Sequence, residues 1–151
     1  MTYRSSYGRI FAQQQLTNIT LNPYMEQKIV LVVKWYDKLK DAHIDAAIEY
    51  LSLFFKNHEL DEVHKKLLKH EKDLVSYKAK DILRASDLSP LPATDTEVAE
   101  HLKKIREGIP LHPVILVSIK EKLYVADGFH RVSACYSLSD DTEVSGAHIE
   151  L

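Results

Sequence analysis

Apolar residues recur at three- and four-residue spacing through the first half of the chain, which is the spacing of one helix face. A first helix is predicted to begin at Asn22-Pro23, because asparagine is a favoured cap and proline suits the first helical position. Its predicted apolar stripe consists of Ile29, Val32, Val33, Tyr36 and Leu39.

Two further helices are predicted from the same spacing. Asp41 can cap the second helix, and the third is predicted to begin near Asp61. Residues 22–82 therefore read as three amphipathic helices whose apolar surface packs on the rest of the chain or on a partner. The apolar positions of the second and third helices are Ile44, Ala47, Ile48, Leu51, Phe54, Phe55, Leu60, Val63, Leu67 and Leu74.

The pattern changes after Arg84. The segment S-P-L-P at 89–92 is a break, and Thr94 to Glu97 has the S/T-x-x-E form of a capping box. The helix that follows is predicted to end at Gly108, since glycine favours helix C-termini. Its predicted buried positions are Val98, Leu102 and Ile105.

Strand signals then alternate with a helical one. Pro113 to Ile119 is a β-branched run, and Leu123 to Ala126 predicts a second strand after a polar turn. From Val132 to Leu138 the pattern is helical, and Ala147 to Leu151 predicts a last short strand.

The whole chain is therefore predicted to be an α+β protein in two parts. Residues 1–84 would form a helical region of about three helices, packed on a small α/β domain at residues 85–151. The 151 residues are 45% hydrophobic and 28% charged, a composition typical of a folded domain.

The number of cysteines and the hydropathy of the chain predict the cellular compartment of the protein. A single cysteine, Cys135, excludes an intramolecular disulfide and suits a reducing environment. The longest apolar run, Ile29 to Val33, is far shorter than the ~20 residues of a membrane span. With no signal peptide at the start of the chain, these features predict a cytoplasmic protein without a membrane partner.

Charge is distributed unevenly. Residues 1–85 carry 14 basic and 11 acidic side chains, whereas residues 86–151 carry 6 and 11. The acidic C-terminal part argues against a DNA partner, because DNA binding relies on a basic face. The basic excess between Lys65 and Arg84 would suit an acidic partner, or it forms a solvated helix face.

The most informative segment is the strand-to-helix turn at Asp127-Gly128. Gly128 permits the positive φ or the close approach that a sharp turn requires. The first turn of the following helix presents unpaired N–H groups and the positive end of the helix dipole, which suit an anion. Arg131 can add a guanidinium matched to phosphate oxygens.

Two neighbouring side chains are the candidates for catalysis. His130 can donate to the same phosphate or transfer a proton near neutral pH. Asp127 can cap the helix, orient His130 or Arg131, or hold a divalent cation. The alternative is that Asp127 only caps the helix and pairs with Arg131, while His130 is solvated.

Residues 86–151 resemble the ParB/sulfiredoxin superfamily, which includes ParB-like nuclease domains and free-serine-kinase-like proteins. The most specific match is the D-G-x-H-R-x-x-A segment from Asp127 to Ala134. Four further pieces precede it in order: A-S-D-L at 85–88, I-R-E-G at 105–108, P-V-I-L-V at 113–117 and Y-V-A-D-G at 124–128.

The resemblance implies a function for this turn. In the superfamily the glycine turn and its helix hold a phosphate of a nucleotide such as ATP, ADP or CTP. Carried over, the backbone from Gly128 through Phe129 to His130 and the side chain of Arg131 would bind that phosphate, with His112 at the rim. The implied reaction is phosphoryl transfer or phosphate-ester hydrolysis with Mg²⁺.

The chain also departs from the family pattern. Phe129 occupies the position where sulfiredoxins carry their reactive cysteine, so reduction of a sulfinic acid is disfavoured. Cys135 is expected to be a small core residue instead. Partition proteins carry extra arginines and a helix-turn-helix that this sequence lacks, so chromosome partition is disfavoured as well.

Two other functions remain open at this stage. The chain could be a non-catalytic module whose helices at 22–82 bind a protein or form a homodimer. The family label also suggests a ParB-like nuclease, against which the acidic C-terminal part argues.

No metal site is predicted, because His58, His64 and His70 are spaced by six residues and diverge on a helix. Without a G-x-S-x-G motif, serine hydrolase chemistry is not predicted either.

Overall fold

A computed structural model describes residues 31–151 of the chain. In this range the helices are α1 (Asp41–Leu51), α2 (Asn57–Lys69), α3 (Ala79–Ser86), α4 (Thr96–Arg106) and α5 (Phe129–Leu138). The strands are β1 (Val75–Lys78), β2 (Val114–Ile119), β3 (Lys122–Asp127) and β4 (Glu143–Glu150). The α+β class is therefore confirmed.

The four strands form one mixed sheet in the order β1-β4-β2-β3. β2 and β3 are an antiparallel hairpin, β4 runs parallel to β2, and β1 is antiparallel to β4. The register pairs Leu116 with His148 and Tyr77 with Val144. Because β2 and β4 are parallel, their C-terminal ends meet at the same edge of the sheet.

Helices cover both faces of the sheet. Side chains of α1 and α2 pack on one face, against residues such as Ile115 and Val117. Side chains of α3 and α5 pack on the other face, against Val114 and Leu116. The first four residues of β2, Val114 to Val117, are buried between them, which explains why this part of the strand is a continuous apolar run and does not alternate. α4 packs on α5 through a third cluster around Leu102.

The second and third predicted helices are confirmed as α1 and α2, with small changes at their ends. α1 buries Ile44, Ala47 and Leu51 as expected, and α2 begins four residues before Asp61. The expectation for Phe54 was wrong: it lies beyond the end of α1 and is 51% exposed.

The prediction of a first helix was wrong for the part that the structure describes. Its start at Asn22-Pro23 lies outside the described residues, but residues 31–40 are not helical. Trp35 forms a parallel bridge to Leu111, and Leu111 exchanges backbone hydrogen bonds with Lys34 and Tyr36. Pairing with Leu111 satisfies the backbone in an extended conformation, so Tyr36 is exposed, not part of a helix core.

A strand and a further helix lie where only the third helix was predicted. β1 is exposed at all four positions and exists because it pairs with β4, a distant segment. α3 follows at once and buries Ala79, Ile82 and Leu83 before Asp87 ends it in the left-handed conformation. The boundary predicted between residues 84 and 85 falls inside α3.

The C-terminal elements follow the predicted order. α4 ends before Gly108, which adopts a φ of +73°. The predicted capping residue was wrong, because the side chain of Asp95, not that of Thr94, accepts from the backbone of Glu97 and Val98. β4 is longer than the short strand predicted from residue 147. Among residues 31–151 the helices are too short or too polar to cross a membrane.

Candidate functional site

The turn between β3 and α5 has the geometry that its sequence predicts. Gly128 adopts a φ of +107°, which only glycine adopts readily. A Cβ atom at this position would lie 2.5 Å from Cγ1 of Val114 on the neighbouring strand. Both the conformation and the close approach therefore require glycine here.

The first turn of α5 presents backbone N–H groups that suit an anion. The chain closes its first helical hydrogen bond from the Val132 N–H to the Gly128 carbonyl, 2.9 Å apart. In the part of the chain that the structure describes, no side chain caps this end of α5. Within residues 31–151, the N–H groups of Phe129, His130 and Arg131 have no acceptor. Together with the helix dipole, they form a positive end beside Asp127.

Arg131 points into the protein and not toward a ligand. It is 4% exposed, and its Nη1 donates to the carbonyls of His112 and Pro113. Its Nη2 pairs with the carboxylate of Asp127. Direct contact between Arg131 and a phosphate stays a prediction; in this arrangement the guanidinium positions the turn.

Asp127 accepts from a second residue that the sequence did not single out. Nδ1 of His43, on α1, lies 2.9 Å from Oδ2 of Asp127. It also lies 3.5 Å from Nη2 of Arg131. Because a carboxylate only accepts, Nδ1 of His43 carries a proton in this contact. Asp127 therefore orients His43, and the three side chains form a network, the 43–127–131 network.

Charge and burial set the pKa values in this network. Burial favours a raised pKa for Asp127, but the hydrogen bond from His43 and the charge of Arg131 outweigh it, and the pKa is lowered. Burial lowers the pKa of Arg131, and Asp127 opposes that change. Both groups stay ionised at neutral pH, so the pair is a buried, charge-compensated unit.

His130 lies at the surface of the same turn. Its Nε2 is 2.9 Å from Oε1 of Glu97 and 3.9 Å from Oδ1 of Asp95, both near the start of α4. One role predicted for Asp127 was to orient His130. The structure does not show this contact, because His130 pairs with Glu97 instead. The imidazole is held between the first turns of α4 and α5, beside the free N–H groups.

The ring of His112 lies beside His43, and its place at the rim of a phosphate site stays a prediction. Its ring stacks on Tyr36 at 4.4 Å between centroids and lies 5.4 Å from the ring of His43. Burial, followed by the charges of His43 and Lys40, lowers its pKa. His112 thus contributes its carbonyl to Arg131 and its ring to the wall beside His43.

A fourth histidine, His101 on α4, was not predicted. Burial, and then the charge of Arg131, lower its pKa to about 4. Its Nδ1 atom is buried without a hydrogen-bond partner in the part of the chain that the structure describes. No sequence signal marks either His101 or His43, because both are brought to the turn by tertiary packing.

The two remaining residues of the prediction have packing roles. The side chain of Phe129 packs against the cluster under α3 and α5, so only its N–H faces the turn. Cys135 is fully buried, and burial raises its pKa to about 12. A thiol of that kind is a poor nucleophile, as expected for a core cysteine.

The donor set does not form a metal site by itself. Residues 31–151 hold no group of three or more histidine, cysteine, aspartate or glutamate side chains arranged to bind a metal ion. The carboxylate of Asp127 is engaged by His43 and Arg131. Any Mg²⁺ at this turn would therefore depend mainly on phosphate oxygens of its ligand.

Comparisons with known proteins assign neither a family nor a function to this site. No family model matches the sequence, and neither the curated proteins nor the solved structures gave a significant match.

Proposed function

We propose that the protein binds the phosphate of a nucleotide at the first turn of α5, in a domain of the ParB/sulfiredoxin type. The observation that carries the proposal is the convergence at Asp127-Gly128, where the 43–127–131 network meets free helix N–H groups. The order α4, β2, β3, α5 is the order of elements that the family resemblance requires.

The electrostatics support an anionic ligand of this kind. The positive end of α5 and the partly exposed His130 lie side by side. Arg131 adds a buried positive charge behind the turn, and its pair with Asp127 offsets that charge. A phosphate would take the three N–H groups that lack an acceptor within residues 31–151.

The same geometry supports hydrolysis of a phosphate ester. Nδ1 of His43 donates to Asp127, so in the neutral imidazole Nε2 would be the atom that accepts a proton from an attacking water. The water oxygen forms the new bond to phosphorus while the bond to the leaving oxygen breaks. Catalysis then depends on His43 and Asp127, and binding depends on the backbone from Phe129 to Arg131.

Thermal unfolding with ATP, ADP, CTP and GTP, each with and without Mg²⁺, tests the binding step. A ligand present at 100 times its Kd is expected to stabilise the fold by about 2.7 kcal/mol. Release of inorganic phosphate then tests catalysis, with His43→Gln compared with His58→Gln, which changes an exposed histidine of α2. If no nucleotide raises the unfolding temperature, the proposal is wrong.

One observation favours the alternative, a homodimer through the N-terminal helices. Leu53 and Phe54, just after α1, are 77% and 51% exposed. Adjacent large apolar side chains at a surface are typical of interaction sites. Sedimentation velocity of the wild type and of Leu53→Ser/Phe54→Ser separates the two: a dimer lost in the double variant, with no effect of nucleotides, supports the interaction module.

A further inference from the structure

A second group of polar side chains lies at the edge of the sheet where β2 and β4 end. Nε2 of His148 is 2.5 Å from Oγ of Ser118, and Nδ1 of His148 is 2.8 Å from the hydroxyl of Tyr77. The imidazole of His148 on β4 thus bridges Ser118 on β2 and Tyr77 on β1. Asp127 and His43 have no part in this group.

Strand register explains why the three side chains share one face of the sheet. Ser118 shares a sheet face with Leu116, since side chains alternate along a strand. Leu116 pairs directly with His148, and Tyr77 pairs directly with Val144 on the same strand as His148. All three side chains therefore project from the face that α3 covers.

The group opens into a cavity of about 560 Å³. α3 supplies an apolar wall through Ile82 and Ala85, and Leu123 extends it. Charged residues of both signs also line the cavity: Lys120 and Lys122 from the β2–β3 turn and the start of β3, and Asp81, Glu121 and Glu150. A volume of this size with one apolar wall and a few convergent polar groups is typical of a small-molecule site.

We propose that Ser118 is a nucleophile activated by His148, and that this cavity accepts small carboxylic esters with an apolar acyl group. A serine next to an imidazole that a third group orients is the arrangement that activates a hydroxyl for attack. The site lies apart from the phosphate site proposed above and does not depend on it.

The proposed reaction balances with water as the only co-reactant. Oγ of Ser118 bonds to the ester carbonyl carbon while its proton passes to Nε2 of His148. The bond to the alkoxy oxygen then breaks, and the alcohol leaves with that proton. Water hydrolyses the acyl-serine by the same route in reverse, which regenerates the serine and releases the acid.

Tyr77 is a positioning residue in this scheme. For Nε2 to accept a proton, Nδ1 of His148 must carry one, and the hydroxyl oxygen of Tyr77 is placed to accept it.

A fluorophosphonate probe, followed by mass mapping of the labelled peptide, tests the nucleophile in the full chain. The expected result is one adduct at Ser118 that Ser118→Ala abolishes and His148→Gln slows by roughly 100-fold, the typical contribution of a general base. Ser76→Ala is the matched control, because Ser76 lies on the same sheet and bonds to the Glu143 carboxylate and not to an imidazole. It should label as the wild type does.

Hydrolysis of p-nitrophenyl butyrate and the ¹⁵N shifts of the His148 ring complete the test. Tyr77→Phe should lower the labelling rate and move the ring away from the Nδ1–H tautomer, a spectral change that loss of packing alone would not cause. Absence of an adduct on wild-type Ser118, or equal labelling of wild type and His148→Gln, overturns the proposal. Mapping on the wild type decides the matter even if Ser118→Ala does not fold.

Discussion

Arg131 joins three parts of the chain through hydrogen bonds from one guanidinium. It holds the backbone at His112 and Pro113, where β2 begins, and the side chain of Asp127, where β3 ends. Each of these acceptors is at least partly buried and would lose its partner without Arg131. The residue that the D-G-x-H-R pattern suggested as a ligand for phosphate therefore supports the turn that presents the N–H groups.

Arg131→Ala is expected to lower the free energy of unfolding by about 3–5 kcal/mol, because it leaves the mostly buried Asp127 carboxylate without its cation and the Pro113 carbonyl without its donor. Urea unfolding of the purified variant measures this change. The matched control is Arg84→Ala, since Arg84 is exposed and its pair with Asp81 lies on the surface. That variant should change stability by no more than about 0.5 kcal/mol. Equal stability of Arg131→Ala and wild type would contradict the supporting role.

The lowered pKa of His101 predicts that the free energy of unfolding decreases in mild acid. Its folded pKa of about 4 lies below the ordinary value of 6.5, so between these values the unfolded state binds more protons than the folded state. Stability is full above pH 6.5 and falls as the pH drops toward 4, on the order of 1–3 kcal/mol. His112 adds to the fall, because its pKa is lowered too.

Urea unfolding at pH 7 and at pH 4.5 measures this dependence. His101→Gln should lose less stability between the two pH values than the wild type does. His58→Gln, on an exposed position of α2, should lose as much as the wild type. An identical pH dependence of all three proteins would show that His101 is not the source of the change.

At the scale of elements, two glycines with positive φ differ in their surroundings: Gly108 follows the end of α4, and Gly128 precedes the start of α5. Gly108, after α4, has room among residues 31–151: the nearest of their atoms to a Cβ atom there would be Nζ of Lys34, at 3.6 Å. Gly128, before α5, has none, because Val114 of β2 would lie 2.5 Å away. The first glycine is required by conformation, and the second by conformation and packing.

Alanine substitutions at these two positions should therefore differ. Gly108→Ala should cost about 1 kcal/mol for the left-handed conformation alone. Gly128→Ala should cost roughly 2–5 kcal/mol, since strain of the backbone adds to overpacking against Val114. Thermal and urea unfolding measure both. A smaller loss for Gly128→Ala than for Gly108→Ala would contradict the described turn.

Sequence patterns predicted the elements whose cause is local. α1, α2 and α4 each show an apolar stripe, and β2 is a β-branched run buried on both faces. β1 was missed because its residues are exposed and only pairing with β4 makes it a strand. The segment around Trp35 was misread, since its pairing with Leu111 replaces the helical hydrogen bonds that the stripe predicted.

In the candidate site, too, the features with a local cause could be predicted from the sequence, and those that depend on tertiary packing could not. Gly128 and the start of α5 follow from a short segment, so the sequence alone predicted the turn and its positive φ. His43 lies 88 residues before Arg131, and no spacing rule brings them together. The buried direction of the Arg131 side chain could not be predicted either, because it depends on the carbonyls of His112 and Pro113, which precede β2.

At the scale of the whole molecule, the sheet and its helices place two separate polar centres. The 43–127–131 network lies at the C-terminal end of β3, and the Ser118–His148–Tyr77 group lies where β2 and β4 end. Because β2 and β3 are antiparallel, these lie toward opposite ends of the hairpin. Ligands at one centre should therefore leave the resonances of the other unchanged.

The central claim is that an anion binds to the first turn of α5. The most direct measurement is a titration of ¹⁵N-labelled protein with ATP, ADP and CTP, with Mg²⁺, followed by the backbone N–H signals. We predict that the signals of Phe129, His130 and Arg131 shift and saturate with at least one of these nucleotides. If these three signals stay in place at millimolar concentrations of every nucleotide, no phosphate binds there and the account is contradicted.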